Sequence, residues 1–141
     1  IVTFCTFGSG GLEPAMADLK NALLKAEIAE HGFGIRNARI AATEKELNRF
    51  LIERGYMEGS VEALPGYSEM RPVTEEEIQI FNAACGDYQF PLGTPVLVGK
   101  RGTSDGVDYI YEVESQGATS TIYVTVGNEE GAKPEFTRVV R

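Results

Sequence analysis

Two cysteines, one histidine and three consecutive glutamates are the residues of this chain with the plainest reactive potential. His31 with Cys5 or Cys85 would make a thiol–imidazole pair, in which the imidazole takes the thiol proton and the thiolate attacks. Their settings argue against it. Cys85 falls in the last turn of a predicted helix, where the negative dipole end raises a thiol pKa, and Cys5 stands mid-strand in the apolar run IVTFCTF. His31 closes the first predicted helix and reads as a cation complementing its C-terminus. Neither cysteine belongs to a CxxC or a zinc-spaced cluster, so both are expected to be packing thiols. Glu75, Glu76 and Glu77 suggest acid–base carboxylates or metal ligands. Consecutive helical residues point in different directions, however, so they read as acids favoured by a helix start.

Two further patterns could bind ligands. Gly8-Ser9-Gly10-Gly11 lies between a strand and a helix, where backbone N–H groups can cradle a phosphate. It lacks a Gly-Lys-Ser/Thr sequence, and Glu13 stands where a dinucleotide fingerprint needs its third glycine, so an ordinary turn is expected. Tyr109, Tyr111 and Tyr123 could line a surface, but aromatic residues on a sheet are expected to pack in the core or across strands.

The elements that must position these residues follow from periodicity. Residues 1–7 read as a strand, expected to be central, and residues 12–30 as a helix whose face is Leu12, Met16, Leu19, Leu23 and Ala26, stopped by Gly32. Residues 34–42 form a second strand candidate running into a helix that Thr43 caps, with Glu46 as the other half of a capping box and Gly55 as the stop. Residues 56–72 carry Gly, Ser and Pro without periodicity and read as a connection. Thr74 and Glu77 then form a second capping box, with Val73 placed to staple on Ile78, opening a helix that buries Ile78, Phe81 and Cys85 and ends at Gly86. Strands follow over 94–101, 107–115, 120–128 and 136–141. In the second of them Val107, Tyr109, Tyr111 and Val113 share one face, the alternation of a sheet wet on one side. The expectation is a single α+β domain over 1–141, a β-α-β-α front half followed by a helix packed on an antiparallel β-meander, with any sub-domain boundary falling in 56–72.

Composition narrows the function classes. The chain has 141 residues, 43% of them hydrophobic, and a net charge of −8. One core is the default at this size. The acidic excess runs through both halves and there is no basic tract, which argues against nucleic acid and anionic lipid as partners and favours a basic protein surface. No apolar run approaches the ~18 residues of a membrane span. No cofactor or metal is expected.

With the third helix and its strands in place, residues 65–115 resemble a cystatin of the stefin type. The stretch PGYSEMRPVT, residues 65–74, is similar to the stefin lead-in to its helix, and Gln89-Phe90-Pro91-Leu92-Gly93-Thr94 resembles the Gln-x-Val-x-Gly first hairpin loop. The resemblance implies an inhibitor whose wedge plugs a papain-like protease cleft. Gly66, Tyr67, Gln89, Phe90, Pro91, Leu92 and Gly93 would be its binding residues. By exclusion, the leading expectation is a non-enzymatic protein-binding module with another protein as partner. A cystatin-like cysteine-protease inhibitor stands second, and a small enzyme with an unidentified pocket third.

Overall fold

The computed structural model describes residues 1–8, 11–88 and 90–141. The chain divides into two compact units, Ile1–Ala63 and Leu64–Arg141, at a point inside the aperiodic 56–72 stretch.

In the first unit, strand β1 (Phe4–Phe7) pairs in parallel with β2 (Phe33–Arg36), and helix α1 (Leu12–Ala22) lies between them in sequence. Helix α1 is shorter than its periodicity predicts. Leu23 leaves helical geometry at φ −118° and ψ 58°, and the chain beyond it pairs with the first residue instead: Ala29 N–H donates to the Ile1 carbonyl at 2.8 Å, and the Ile1 amine to the Glu27 carbonyl at 2.7 Å. Gly32, expected as a helix stop, is required for another reason, since a Cβ there would fall 2.5 Å from Thr3 Oγ1. Strand β1 is not central. Its one ladder among the described residues is with β2, and Phe4 is 79% exposed.

The second strand is also shorter than expected, because residues Asn37–Ala42 turn into a 3₁₀ segment before α2 (Thr43–Glu53). The capping box expected at Thr43 does not form. Thr43 is already helical, its hydroxyl donates to the Ile40 carbonyl at 2.6 Å, and Glu46 is held by Arg39. Gly55 ends α2 with φ +75°, a left-handed position that glycine takes without a Cβ penalty. Phe33 and Ile35 are buried, and Phe33 packs on Phe50 of α2 with ring centroids 5.8 Å apart.

The second unit is a five-stranded antiparallel sheet with a helix. Its elements are β3 (Arg71–Pro72), α3 (Glu75–Cys85), β4 (Thr94–Thr103), β5 (Gly106–Ser115), β6 (Ala118–Gly127) and β7 (Glu135–Val140), and the strand order follows the sequence order. The expected helix and meander are therefore present, and the chain is α+β. The unread strand is β3, whose two residues pair with Leu97 and Val98 of β4 and are too few to show alternation.

Val98, Tyr111, Val113, Ile122 and Val124 alternate inward along β4, β5 and β6 and meet Phe81 and Cys85 of α3 and Phe136 of β7. Complete burial of such side chains contributes about 1.5–3 kcal/mol each. Tyr111 is fully buried, and its hydroxyl donates to the Glu77 carbonyl at 2.8 Å, so the sheet is pinned to the first turn of α3. The inward face of α3 differs from expectation at one place, because Glu77 is buried and Ile78 only half-buried.

Candidate functional site

The capping box at Thr74 is complete. Glu77 N–H donates to Thr74 Oγ1 at 3.4 Å, and Thr74 N–H donates to Glu77 Oε2 at 2.9 Å. Arg71 explains how a carboxylate can occupy the inward face, since its guanidinium forms a two-pronged pair with Glu77, Nη1 lying 3.0 Å from Oε2 and Nη2 bonding Oε1. That pair, with the cap, holds the Glu77 carboxyl at about 2, well below its ordinary range. Both oxygens are committed inside the fold, so Glu77 is structural. Glu75 and Glu76 are exposed. Among the described residues no group of three His, Cys, Asp or Glu could hold a metal ion.

Neither cysteine forms a disulfide. Burial, then the Glu13 carboxylate, pushes the Cys5 thiol up, away from the thiolate a nucleophile needs. Cys85 packs in the core of the other unit. The glycine turn after β1 cannot be placed as a phosphate loop, because Ser9 and Gly10 lie outside the described residues. Tyr111 is core and Tyr109 packs against it, while Tyr123, on the other face of the sheet, packs across strands under the Arg138 guanidinium of β7, all as expected.

The residues expected at a binding wedge fall in two places. Gly66 and Tyr67 belong to an extended segment leading into β3. Tyr67 is anchored across the open face, edge-on to Tyr123 with centroids 6.2 Å apart and under the Arg101 guanidinium at 4.3 Å. Arg101 is in turn fixed by Asp108 at 2.9 Å, and burial pushes the Tyr67 hydroxyl pKa up. Gly66 is exposed, and a Cβ there would meet nothing within 4 Å.

Phe90, Pro91, Leu92 and Gly93 are not in a hairpin. They connect α3 to β4, and Gln89 lies outside the described residues. The physical reason is visible in the packing. Leu92 rests on the core, and Gly93 has φ +105° with a Cβ position 2.4 Å from the Glu114 carbonyl oxygen, so the connection is pressed against the far end of β5. Phe90 is 51% exposed and packs edge-on to Tyr88. A cavity of about 390 Å³ opens beside this connection, lined by Phe81, Asn82, Cys85, Tyr88 and Leu92 among others; none of its lining residues is histidine, lysine or a carboxylate.

The first hairpin after α3 is the β4–β5 turn, residues 103–106. Register fixes which segments share its end of the sheet. Gly106 stands opposite Gly127, so the connection after β6 begins beside the turn. Asn128 joins the two, its N–H donating to the Asp105 carbonyl at 2.9 Å and its side-chain amide to the Ser104 carbonyl at 2.8 Å. Ser68 donates from its N–H to the Lys100 carbonyl at 2.8 Å, and Lys100 N–H donates to Ser68 Oγ at 3.0 Å. The lead-in segment thus runs toward the same end, antiparallel to β4. Three segments distant in sequence, the residues before Ser68, the 103–106 turn and the connection after Gly127, gather there. GTSDG (residues 102–106) and NEEGAKP (residues 128–134) fall between or at the ends of the predicted strands; the signal that could have found them is that a hairpin needs two paired strands, and 89–93 follows a helix. No protein-family model, curated protein or solved structure matches the chain.

Proposed function

We propose that the Leu64–Arg141 unit is a non-enzymatic protein-binding module, and that it acts as a cystatin-like inhibitor of papain-like cysteine proteases. One observation carries this reading: three chain-distant segments lie at a single end of the sheet, the lead-in bonded to β4 through Ser68 and Lys100, and the 103–106 turn bonded to the connection after β6 through Ser104, Asp105 and Asn128. Such an end presents loops carried on paired strands, a form suited to entering a cleft.

The element order supports the narrower inhibitor reading. The lead-in that resembles the stefin sequence enters β3, α3 follows, and β4 supplies the strand that a cystatin places before its first inhibitory hairpin. That shifts the hairpin from 89–93 to 103–106 and leaves Gly66 in its original role. The reactive candidates oppose an enzyme reading, since Glu77 and Tyr111 are engaged inside the fold and Cys5 is held protonated.

Titration of papain with the full chain, followed by residual protease activity, tests the proposal. Inhibition with a dissociation constant at or below micromolar is expected, corresponding to at least about 8 kcal/mol of binding free energy. Gly66→Glu should remove it without lowering Tm, because the position has room for a side chain. Wild-type protein that leaves papain fully active at tens of micromolar, or a folded Gly66→Glu that inhibits as well as wild type, would count against the proposal.

A further inference from the structure

We infer that Gly102 is a specificity-determining residue of this binding end, its missing side chain allowing a partner's wall to close on the β4 backbone. The inference rests on the inhibitor reading above.

Glycine inside a strand is unfavourable, because it loses more backbone freedom on folding than other residues and packs nothing. It persists where backbone conformation or a close approach demands it. Strand β4 holds one glycine that the fold demands and one that it does not. At Gly99 a Cβ would fall 2.8 Å from the Ser68 carbonyl oxygen and 3.1 Å from Met70 Sδ, so the lead-in segment excludes a side chain. At Gly102 a Cβ would meet nothing within 4 Å, and φ lies outside the left-handed region. Among the described residues nothing requires glycine there. Gly66 is alike in both respects. Gly66 lies two residues before Ser68 and Gly102 two residues after Lys100, so the Ser68–Lys100 bond and the antiparallel strand directions carry both bare positions to the same end.

Gly102 also opens onto an apolar row. It pairs with Val107, and Val107 pairs with Val126, so the three stand in line across β4, β5 and β6. Alternation puts them on the same face as Val98 and Tyr111. Those two are buried, but Val107 and Val126 are half-buried and Gly102 is exposed. A side chain at 102 would stand up from this row and hold off anything laid along it. The surface therefore fits an apolar cleft wall that contacts the Gly102 backbone and both valines together.

The test uses papain as probe and the full chain as wild type, Gly102→Ala, Gly102→Leu and Thr119→Leu, the last adding the same side chain at the exposed opposite end of the sheet. Inhibition constants and Tm are measured for each. Gly102→Leu should inhibit at least tenfold more weakly than wild type and Gly102→Ala to an intermediate degree, both with Tm unchanged or raised. Thr119→Leu should match wild type. A folded Gly102→Leu that inhibits like wild type would overturn the inference and leave the inhibitor reading standing, whereas wild-type protein without inhibition would overturn both. Weaker inhibition that tracks a lowered Tm in both Gly102 variants would also overturn it, because a structural need for glycine would then explain the loss.

Discussion

Replacing Glu77 with Gln removes a charge from a nearly buried position while leaving an oxygen that can still accept from Thr74 N–H. The side chain is 7% exposed and its carboxyl sits at about 2 against an ordinary 4.5. Because each tenfold change in proton affinity corresponds to ~1.4 kcal/mol, the full difference amounts to about 3 kcal/mol. The Arg71 side chain is 44% exposed, so solvent screens the pair, and about 1–2 kcal/mol is the expected loss of stability at pH 7. The folded carboxyl binds its proton more weakly than the unfolded one. Its contribution is therefore full above about pH 4.5, declines as pH falls, and is gone below about 2. Urea unfolding of wild type and Glu77→Gln across this range, followed by tyrosine fluorescence, measures the gap. Five of the six tyrosines lie in Leu64–Arg141, so the signal reports mainly that unit. Equal stability at pH 7, or a gap as wide at pH 2.5 as at pH 7, would refute the assigned role of Arg71 and Glu77.

Other outcomes follow from the same turn. Thr74→Ala should cost about 1 kcal/mol in urea unfolding, since it removes the acceptor for Glu77 N–H; an unchanged midpoint would mean that the cap contributes nothing. Tyr111→Phe should cost about 1–2 kcal/mol, as it deletes a buried hydroxyl that bonds the Glu77 carbonyl, and near-UV circular dichroism should show the sheet still packed.

Much of the second unit was legible because its signals are local and agree with one another. Thr74 and Glu77 announced a helix start that forms with its full box, and the alternation of Tyr109, Tyr111 and Val113 announced which face is buried. The first unit was less legible because long-range pairing overrode local preference. Residues 26–29 have helical periodicity, yet they give backbone groups to Ile1. Thr43 and Glu46 have capping-box spacing, yet Arg39 takes the carboxylate first. Glu77 was placed by its cap but not recognised as buried, because its burial depends on Arg71, six residues earlier and across a turn. The proposed binding end was hidden for a related reason. Its members are joined only by register, and register is not written in any one of the segments.

Placing the proposed inhibitory hairpin at 103–106 changes what a loss of function can mean. Residues 90–93 hold α3 to β4, with Leu92 on the core and Gly93 pressed against Glu114 in a conformation that few other residues adopt. Changes there act first on folding, so weakened inhibition in such variants would not locate a contact surface. Gly66 and Gly102 are the reverse case, since neither supports an internal contact that a side chain would break. The core that fixes the sheet is built from Val98, Tyr111, Val113, Ile122 and Val124, which belong to the ladders and not to the turns. Stability and the proposed contact surface are therefore carried by different residues of the same strands. A substitution that leaves Tm in place and removes inhibition is informative at 66 and 102 for that reason, and the same observation at 93 would instead contradict the packing described for it.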